Sequence, residues 1–249
     1  MKIKKVFKWT FIIAISMLAL GFSALLVWSK TGTYSAGNTA LSALLSSEDV
    51  TVTQDEYITL KPTQKVETGL IFYPGGLVEP AAYAPVLHQT AENGVMVVVT
   101  PMPFNLAIFN PFAANDVIEA YPHINKWFIA GHSLGGAAAA IYADNNSERI
   151  DGVAFWDSYP PDSADLSNIE IRVLSIYGTR DGQANTENFD VKRKLLPKDA
   201  AFVPIEGASH AQFGDYGPQK GDVVPSISQA DQHQQITEIM LNFIFRDLR

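Results

Sequence analysis

Six short apolar runs recur along the chain, and their repetition constrains the fold more than any other feature. The runs lack polar alternation, which is typical of parallel strands buried on both faces. Helix-like stretches lie between most of them, so the pattern predicts an α/β fold with right-handed crossovers and a mostly parallel sheet flanked by helices. The predicted parallel strands are residues 70–73, 95–100, 127–130, 153–156, 173–177 and 201–205, preceded by two further strands at 50–54 and 57–60. The predicted helices are residues 80–93, 111–120, 134–145, 185–195 and 229–245.

The N-terminal stretch is typical of a membrane segment. Residues 9–29 carry no charge, and their 21 positions match the roughly 20 that a helix needs to cross the hydrocarbon core. Tryptophans fall near both ends and lysines precede the run, which favours a cytoplasmic N-terminus with the remainder outside the cytoplasm. We therefore expect a basic cytoplasmic end at 1–8, a transmembrane anchor at 9–29, a linker at 30–47 and a folded domain at 48–249.

A cleaved signal peptide, which would make the protein secreted, is the alternative for the same segment. Its apolar region is normally only ~7–15 residues and ends in a small-x-small cleavage site. The tripeptide at residues 35–37, Ser-Ala-Gly, is a poor match to such a site.

Charge and cysteine content exclude several classes of function. The chain has a formal net charge of −8, and the residues after Lys8 carry about −12, so the folded domain would repel a phosphate backbone. We expect no nucleic-acid partner. The 249 residues include no cysteine, which excludes disulfides, thiolate metal sites and a cysteine nucleophile.

The hexapeptide GHSLGG at residues 131–136 carries the strongest chemical signal. It follows the predicted strand 127–130 and opens the predicted helix 134–145. A G-x-S-x-G pattern between a strand and a helix places its serine on a tight, strained turn, where the hydroxyl is exposed for attack. The pattern therefore predicts that Ser133 is a catalytic nucleophile.

A serine hydroxyl needs a base to take its proton, and the base needs a carboxylate to orient it. His210 follows the last predicted strand, at the edge of the sheet where catalytic groups gather, and we expect it to be the base. The other histidine after the serine, His233, lies inside the final helix. Asp181 and Asp157 both follow predicted strands, and we favour Asp181 because its turn is tight and flanked by glycine. Asp157 then caps a loop or lies at the pocket rim.

The oxyanion of an acyl-transfer intermediate needs two backbone N–H donors. One is expected from Leu134, directly after the nucleophile. The other is expected from the loop Pro-Gly-Gly-Leu at residues 74–77, where Gly76 would let the backbone approach a substrate.

Four side chains near the predicted active edge carry two interpretations each. Glu79 either complements a helix dipole or contacts substrate or the catalytic loops. Tyr73, Trp156 and Phe213 either pack in the core or line an apolar acyl pocket. The remaining histidines show no ligand spacing such as H-E-x-x-H, so we expect no metal site and no cofactor.

Together these stretches resemble the α/β-hydrolase superfamily over about residues 48–247. They are similar to its small lidless branch of dienelactone-hydrolase-like and chlorophyllase-like serine hydrolases, through residues 72–80, 131–136, 176–182 and 207–215. The resemblance implies a triad of Ser133, Asp181 and His210 and supports the oxyanion donors above. Two departures are a Pro-Gly in place of the usual His-Gly of the oxyanion loop, and a serine in place of the cysteine of dienelactone hydrolases.

The expected function is hydrolysis of a small-molecule acyl ester through an acyl-enzyme on Ser133. Acyl transfer to another acceptor and amide or thioester hydrolysis use the same residues and remain alternatives, as does a non-catalytic cell-surface binding protein. Only 15 residues separate Trp156 from Arg172, which leaves no room for a cap domain. The loop at residues 211–228 is then the segment expected to set specificity. Nothing in the sequence indicates an oligomeric state.

Overall fold

The computed structural model describes residues 2–182 and 191–246. The chain divides into two compact units, Met1–Thr33 and Tyr34–Arg249. The first unit is the helix α1, Lys2–Gly32. Within it, Phe7–Gly32 spans 26 residues and contains an 18-residue window with a mean hydropathy of 2.4, so it is long and apolar enough to cross a membrane. The predicted N-terminal helix is therefore confirmed, whereas its role as a membrane anchor stays a prediction, because a signal sequence near the N-terminus can pass the same test of length and hydropathy.

The second unit is built on one eight-stranded sheet with the order β1-β2-β4-β3-β5-β6-β7-β8. The pairs β1–β2 and β2–β4 are antiparallel, and all other neighbours are parallel. This confirms the predicted α/β fold with a mostly parallel sheet. The strands are β1 Val50–Gln54, β2 Ile58–Pro62, β3 Thr68–Tyr73, β4 Met96–Val99, β5 Lys126–His132, β6 Gly152–Trp156, β7 Arg172–Gly178 and β8 Ala201–Ile205.

The helices follow the predicted crossovers, with shifted ends. The predicted helix 80–93 begins as a 3-10 turn at Pro80–Tyr83, because Pro85 sits at the start of the α-helix that follows. Most of the predicted helix 185–195 lies outside the described residues, and its last part is a 3-10 turn at Arg193–Leu195. The α-helices of this unit are α2 Asn38–Ser42, α3 Ala84–Glu92, α4 Ala114–Ala120, α5 Leu134–Asn145 and α6 Gln229–Ile244.

Two apolar layers cover the two faces of the sheet, because successive strand residues point to opposite sides. In β3, Leu70 and Phe72 belong to the layer that includes α3 and α6, whereas Ile71 and Tyr73 belong to the layer that includes α4 and α5. Residues 157–171, between β6 and β7, contain neither helix nor strand. The connection between β6 and β7 therefore carries no inserted cap domain, as expected from the sequence.

The start of the second unit is attached to the loop after β3. Tyr34 donates its backbone N–H to the Leu77 carbonyl (2.7 Å), and its own carbonyl accepts from the Glu79 N–H (3.0 Å). Further along, Gly37 donates its N–H to the backbone carbonyl of Asp215 (2.6 Å). Residues 34–37, which the sequence analysis placed in a linker at 30–47, therefore make specific contacts with the folded unit.

Candidate active site

Ser133 occupies the sharp turn between β5 and α5. Its backbone has φ 51° and ψ −121°, a conformation that is strained for a residue with a side chain. Hydrogen bonds to the backbone of Ser133 fix the turn. The Ser133 N–H donates to the Trp156 carbonyl (3.0 Å), and the Ser133 carbonyl accepts from the Ser158 hydroxyl (2.6 Å). The structure thus maintains the strand–turn–helix geometry that the GHSLGG motif predicts.

Glycines flank this turn because no side chain fits there. A Cβ on Gly131 would lie 2.4 Å from the carbonyl of Gly135, and a Cβ on Gly135 would lie 2.1 Å from the carbonyl oxygen of Tyr73. Both clashes are with backbone, which cannot move aside as a flexible side chain can. The two glycines therefore allow α5 to pack directly against the ends of β3 and β5.

His210 follows β8 and is nearly enclosed, with only 5% of its side chain exposed. Its Nδ1 lies 3.4 Å from the Asp157 Oδ2 and 3.4 Å from the Asp181 Oδ1. Its ring also lies against His132, the residue before Ser133, with ring centroids 4.4 Å apart. The fold therefore brings the predicted base and both candidate acids together beside the nucleophile turn.

Asp157 is fixed in this cluster by hydrogen bonds to β7. Its Oδ1 accepts from the Gly178 N–H (3.0 Å), and its N–H donates to the Ile176 carbonyl (2.8 Å). Its φ of 43° turns the chain sharply after β6. The interpretation of Asp157 as a simple loop cap is therefore incomplete, because its second carboxylate oxygen faces His210 at the same distance as that of Asp181.

Burial and charge compete in setting the protonation of this cluster. Burial alone would lower the pKa of His210, but the two carboxylates outweigh it and raise the pKa to about 9. Burial raises the pKa of Asp157 to about 6, despite the opposing effect of His210. At neutral pH the arrangement therefore favours the imidazolium form of His210.

The same three side chains also meet the spacing of a metal site. Their ligand atoms all lie within 4.8 Å of one another. The same residue types, an imidazole and carboxylates beside a serine, are also those of an acid–base triad, whose chemistry uses no metal ion.

Two backbone donors beside the turn have no acceptor among the described residues, namely the N–H groups of Gly76 and Leu134. The neighbouring amides are occupied, because Gly75 donates to the Tyr83 hydroxyl (2.9 Å) and Leu77 donates to the Asn105 carbonyl (2.7 Å). A Cβ on Gly76 would lie 3.1 Å from the Leu134 side chain, so the two donors come from adjacent segments. This is the pair of residues that the sequence analysis named for the oxyanion.

The structure also shows a polar contact that the sequence analysis missed. His132, for which the sequence analysis noted only the lack of metal-ligand spacing, lies between the Tyr83 hydroxyl (2.8 Å to Nδ1) and the His210 ring. Burial lowers the pKa of His132 well below its usual range, so this ring is neutral. The Tyr83 hydroxyl therefore links the loop at residues 74–77, through Gly75, to the residue before Ser133. Only the position of His132 next to Ser133 could have drawn attention to it.

The four side chains with two interpretations all make structural contacts. Tyr73 bonds to the Pro111 carbonyl and the Ala114 N–H, both at 2.8 Å. Trp156 packs on Phe72 and points its Nε1 at the Met240 sulfur (3.3 Å), on the α6 side of the sheet. Phe213 stacks on the His132 ring with centroids 5.5 Å apart, and Glu79 accepts from the Ala36 N–H (2.8 Å). These contacts favour packing or positioning for all four.

The loop at residues 211–228 encloses space next to the base. A cavity of about 430 Å³ lies beneath it and is lined by both chain neighbours of His210, Ser209 and Ala211, and by Val223 and Val224. The cavity is lined by the residues on either side of His210, and a role of the loop in specificity stays a prediction.

Comparisons with known proteins agree with this fold. The chain superposes on a butyrate-bound thermophilic esterase from Thermogutta terrifontis (TM-score 0.59, 14% identity, 80% of this chain and 94% of that one). It also superposes on the carboxylesterase CesB from Bacillus subtilis (TM-score 0.56, 13% identity, 88% and 98%) and on a metagenome-derived lipolytic enzyme (TM-score 0.57, 13% identity, 73% and 94%). No curated protein sequence matches. At such identities the superpositions establish the fold.

A sequence model of the alpha/beta hydrolase family matches residues 69–234, a span that includes the nucleophile turn, both carboxylates and His210. That span is well over half of the chain and contains β4 to β8 and all but the first residue of β3. With the strand order and the nucleophile turn, it establishes that the chain belongs to the alpha/beta hydrolase family.

Proposed function

We propose that this protein is a serine hydrolase that cleaves carboxylic esters through an acyl-enzyme on Ser133. The observation that carries the proposal is the meeting of three parts at one turn. A strained serine, an imidazole held by carboxylates and two unoccupied backbone N–H groups lie on adjacent loops at one edge of the sheet. Each part is what acyl transfer to a serine requires.

The chemistry follows from these positions. The neutral His210 takes the Ser133 proton as the serine oxygen attacks the ester carbonyl, and the N–H groups of Gly76 and Leu134 stabilise the resulting oxyanion. The imidazolium then gives its proton to the departing alcohol, which leaves an acyl-Ser133. A water molecule, deprotonated by the same imidazole, attacks this acyl group and releases the carboxylic acid and free Ser133.

We assign the orientation of His210 to Asp181, as its place after β7 predicts, and to Asp157 as a second carboxylate. Both oxygens lie 3.4 Å from Nδ1, which is longer than the ~2.8 Å of a charge-assisted hydrogen bond. Catalytic hydrogen bonds are often long in a ligand-free enzyme and shorten in the substrate complex. The second carboxylate adds negative charge that stabilises the imidazolium formed in each step.

We further propose that α1 anchors the protein in a membrane with the hydrolase domain outside the cytoplasm. The length and hydropathy of Phe7–Gly32 and the lysines before it support this arrangement. The N-terminal sequence of the mature protein, together with its sedimentation with membranes after an alkaline wash, tests it. A mature chain that begins near residue 37 and stays in the supernatant would indicate a cleaved signal instead.

A fluorophosphonate probe tests the hydrolase proposal without any assumption about substrate, because it reacts only with a serine that a base has activated. The full chain in detergent should be labelled, whereas Ser133→Ala and His210→Ala should not. Ser163→Ala, which removes an exposed serine, is the matched control and should label like the parent. A folded parent that stays unlabelled would overturn the proposal. Product analysis with an added alcohol then distinguishes hydrolysis from acyl transfer.

A further inference from the structure

An exposed apolar surface lies beside the proposed active site, on residues 103–112, here named the rim segment. Its side chains Ile108, Phe109 and Phe112 are 46%, 53% and 43% exposed. No charged residue occurs anywhere from position 93 to position 115. Clustered exposed aromatic and aliphatic side chains without charge are typical of a surface that meets another apolar surface.

The rim segment is held in place by hydrogen bonds at both ends. At one end the Asn105 carbonyl accepts from the Leu77 N–H (2.7 Å). At the other end the Tyr73 hydroxyl donates to the Pro111 carbonyl and accepts from the Ala114 N–H, both at 2.8 Å. The hydrogen bonds at both ends therefore fix the backbone of the rim segment in a position that leaves its apolar side chains exposed.

The rim segment also borders the proposed oxyanion site. The Leu106 side chain lies against Gly76, such that a Cβ on that glycine would come within 3.7 Å of the Leu106 Cδ2. Leu77, the next residue, carries the hydrogen bond to Asn105. An acyl chain that lies along the rim segment therefore has its ester end close to the donors of Gly76 and Leu134.

The same loop is where the chain enters the folded unit. The Tyr34 N–H donates to the Leu77 carbonyl, and the Tyr34 carbonyl accepts from the Glu79 N–H. Tyr34 lies two positions after Gly32, the last residue of α1. A membrane that holds α1 is therefore linked by very little chain to the loop that carries Gly76. This connection, and the absence of charge on the rim segment, single out a lipid surface as the occupant.

We propose that the rim segment docks on the lipid surface and that the substrate is an ester of a membrane lipid, whose acyl chain passes from the bilayer along the segment to Ser133. This inference rests on the proposed hydrolase function. The acidic folded domain would be repelled by anionic lipid, so the relevant surface is a zwitterionic or neutral one. Aromatic and aliphatic side chains insert at the headgroup boundary of such a surface.

Fluorescence quenching tests the docking without requiring catalysis. The chain has no cysteine, so one introduced thiol can carry an environment-sensitive label. The full chain is reconstituted in phosphatidylcholine vesicles containing doxyl-labelled lipid, with the label at Phe109→Cys or, as control, at Lys126→Cys. Lys126 is exposed and begins β5, at the opposite edge of the sheet. We expect quenching at least about twofold stronger at position 109. Equal quenching at the two positions would overturn the docking. A blue shift without quenching would also overturn it, because it would indicate that a second copy of the chain covers the label.

A triple variant, Ile108→Ser with Phe109→Ser and Phe112→Ser, tests the substrate class. Its fluorophosphonate labelling in detergent should equal that of the parent. Its hydrolysis of a diacylglycerol in phosphatidylcholine vesicles should fall at least about tenfold, because three apolar side chains no longer leave water on docking. A parent that the probe does not label refutes the proposed function. A labelled parent that ignores the vesicle ester, or a triple variant that cleaves it like the parent, refutes only this inference.

Discussion

Replacing the two carboxylates beside His210, singly and together, is the sharpest test of the proposed chemistry. Their oxygens lie at the same distance from Nδ1, 3.4 Å, and both side chains are almost completely buried. At that distance, and with an effective dielectric constant of about 20, one carboxylate attracts an imidazolium by about 5 kcal/mol before desolvation is counted. Loss of the only acid of a triad lowers kcat by about 10⁴, which corresponds to a similar energy.

Because the second carboxylate remains in each single variant, we expect Asp157→Asn and Asp181→Asn each to slow the reaction by about 10- to 100-fold. The double variant should slow it by on the order of 10⁴. The rate of fluorophosphonate labelling measures the effect without a known substrate. Asp144→Asn, at an exposed acid on α5, is the control and should react like the parent.

The reasoning is refuted if one single variant is as slow as the double while the other is unchanged, because a single acid would then act alone. Thermal unfolding of each variant must accompany the rates, since Asp157 also accepts a hydrogen bond from Gly178. A variant that melts like the parent and reacts slowly has lost the orientation or charge stabilisation of His210, and its fold is intact.

Three further predictions concern the surroundings of the triad. The carboxylates raise the pKa of His210 to about 9, and only neutral imidazole accepts a proton, so kcat/KM should rise with pH up to about 9. Asp157→Asn should move this rise to lower pH. A rise of the parent's kcat/KM centred near the ordinary histidine pKa of about 6.5 would contradict the expectation. Gly135→Ala places a Cβ 2.1 Å from the Tyr73 carbonyl oxygen and should abolish labelling and folded yield, so a soluble, fully labelled variant would disprove the stated packing. Tyr83→Phe leaves two buried polar groups unpaired and should lower the free energy of unfolding in urea by about 1–3 kcal/mol, whereas an unchanged midpoint and slope would show that the hydroxyl contributes nothing.

Much of the architecture could be predicted from local pattern, because strands buried on both faces must be continuously apolar. The six predicted parallel strands are all present, and the helix predicted at residues 134–145 has the bounds of α5. The nucleophile turn is equally local, since the clashes that require glycine at positions 131 and 135 arise within a few residues of Ser133 or across one neighbouring strand. The prediction for the helix that follows β3 was less accurate. A proline fits the start of a 3-10 turn as well as the start of an α-helix, so the sequence did not show that Pro80–Tyr83 is a 3-10 turn.

The side of the sheet to which a side chain at the end of a strand points could not be predicted from the local sequence pattern. Trp156 ends β6 at the active edge, yet its ring belongs to the layer under α6 and its indole N–H points at Met240. A one-residue change of register reverses the face on which a strand residue lies, and that register is set by pairing with neighbouring strands. Whether such a residue lines a pocket or a core therefore depends on the assembled sheet.

The amino-acid sequence by itself determined the parallel sheet, the nucleophile turn and the order in which Ser133 and His210 follow their strands, because each rests on short-range periodicity or sterics. Only the tertiary structure decided that Asp157 and Asp181 share one imidazole, and that His132 joins Tyr83 to the base. Both depend on loops from strands far apart in sequence, such as the turn at Asp157 with φ 43°, meeting at one edge. The sequence gives the order of these residues along the chain, but it does not give the distances between their side chains in space. The proposed chemistry depends on those distances.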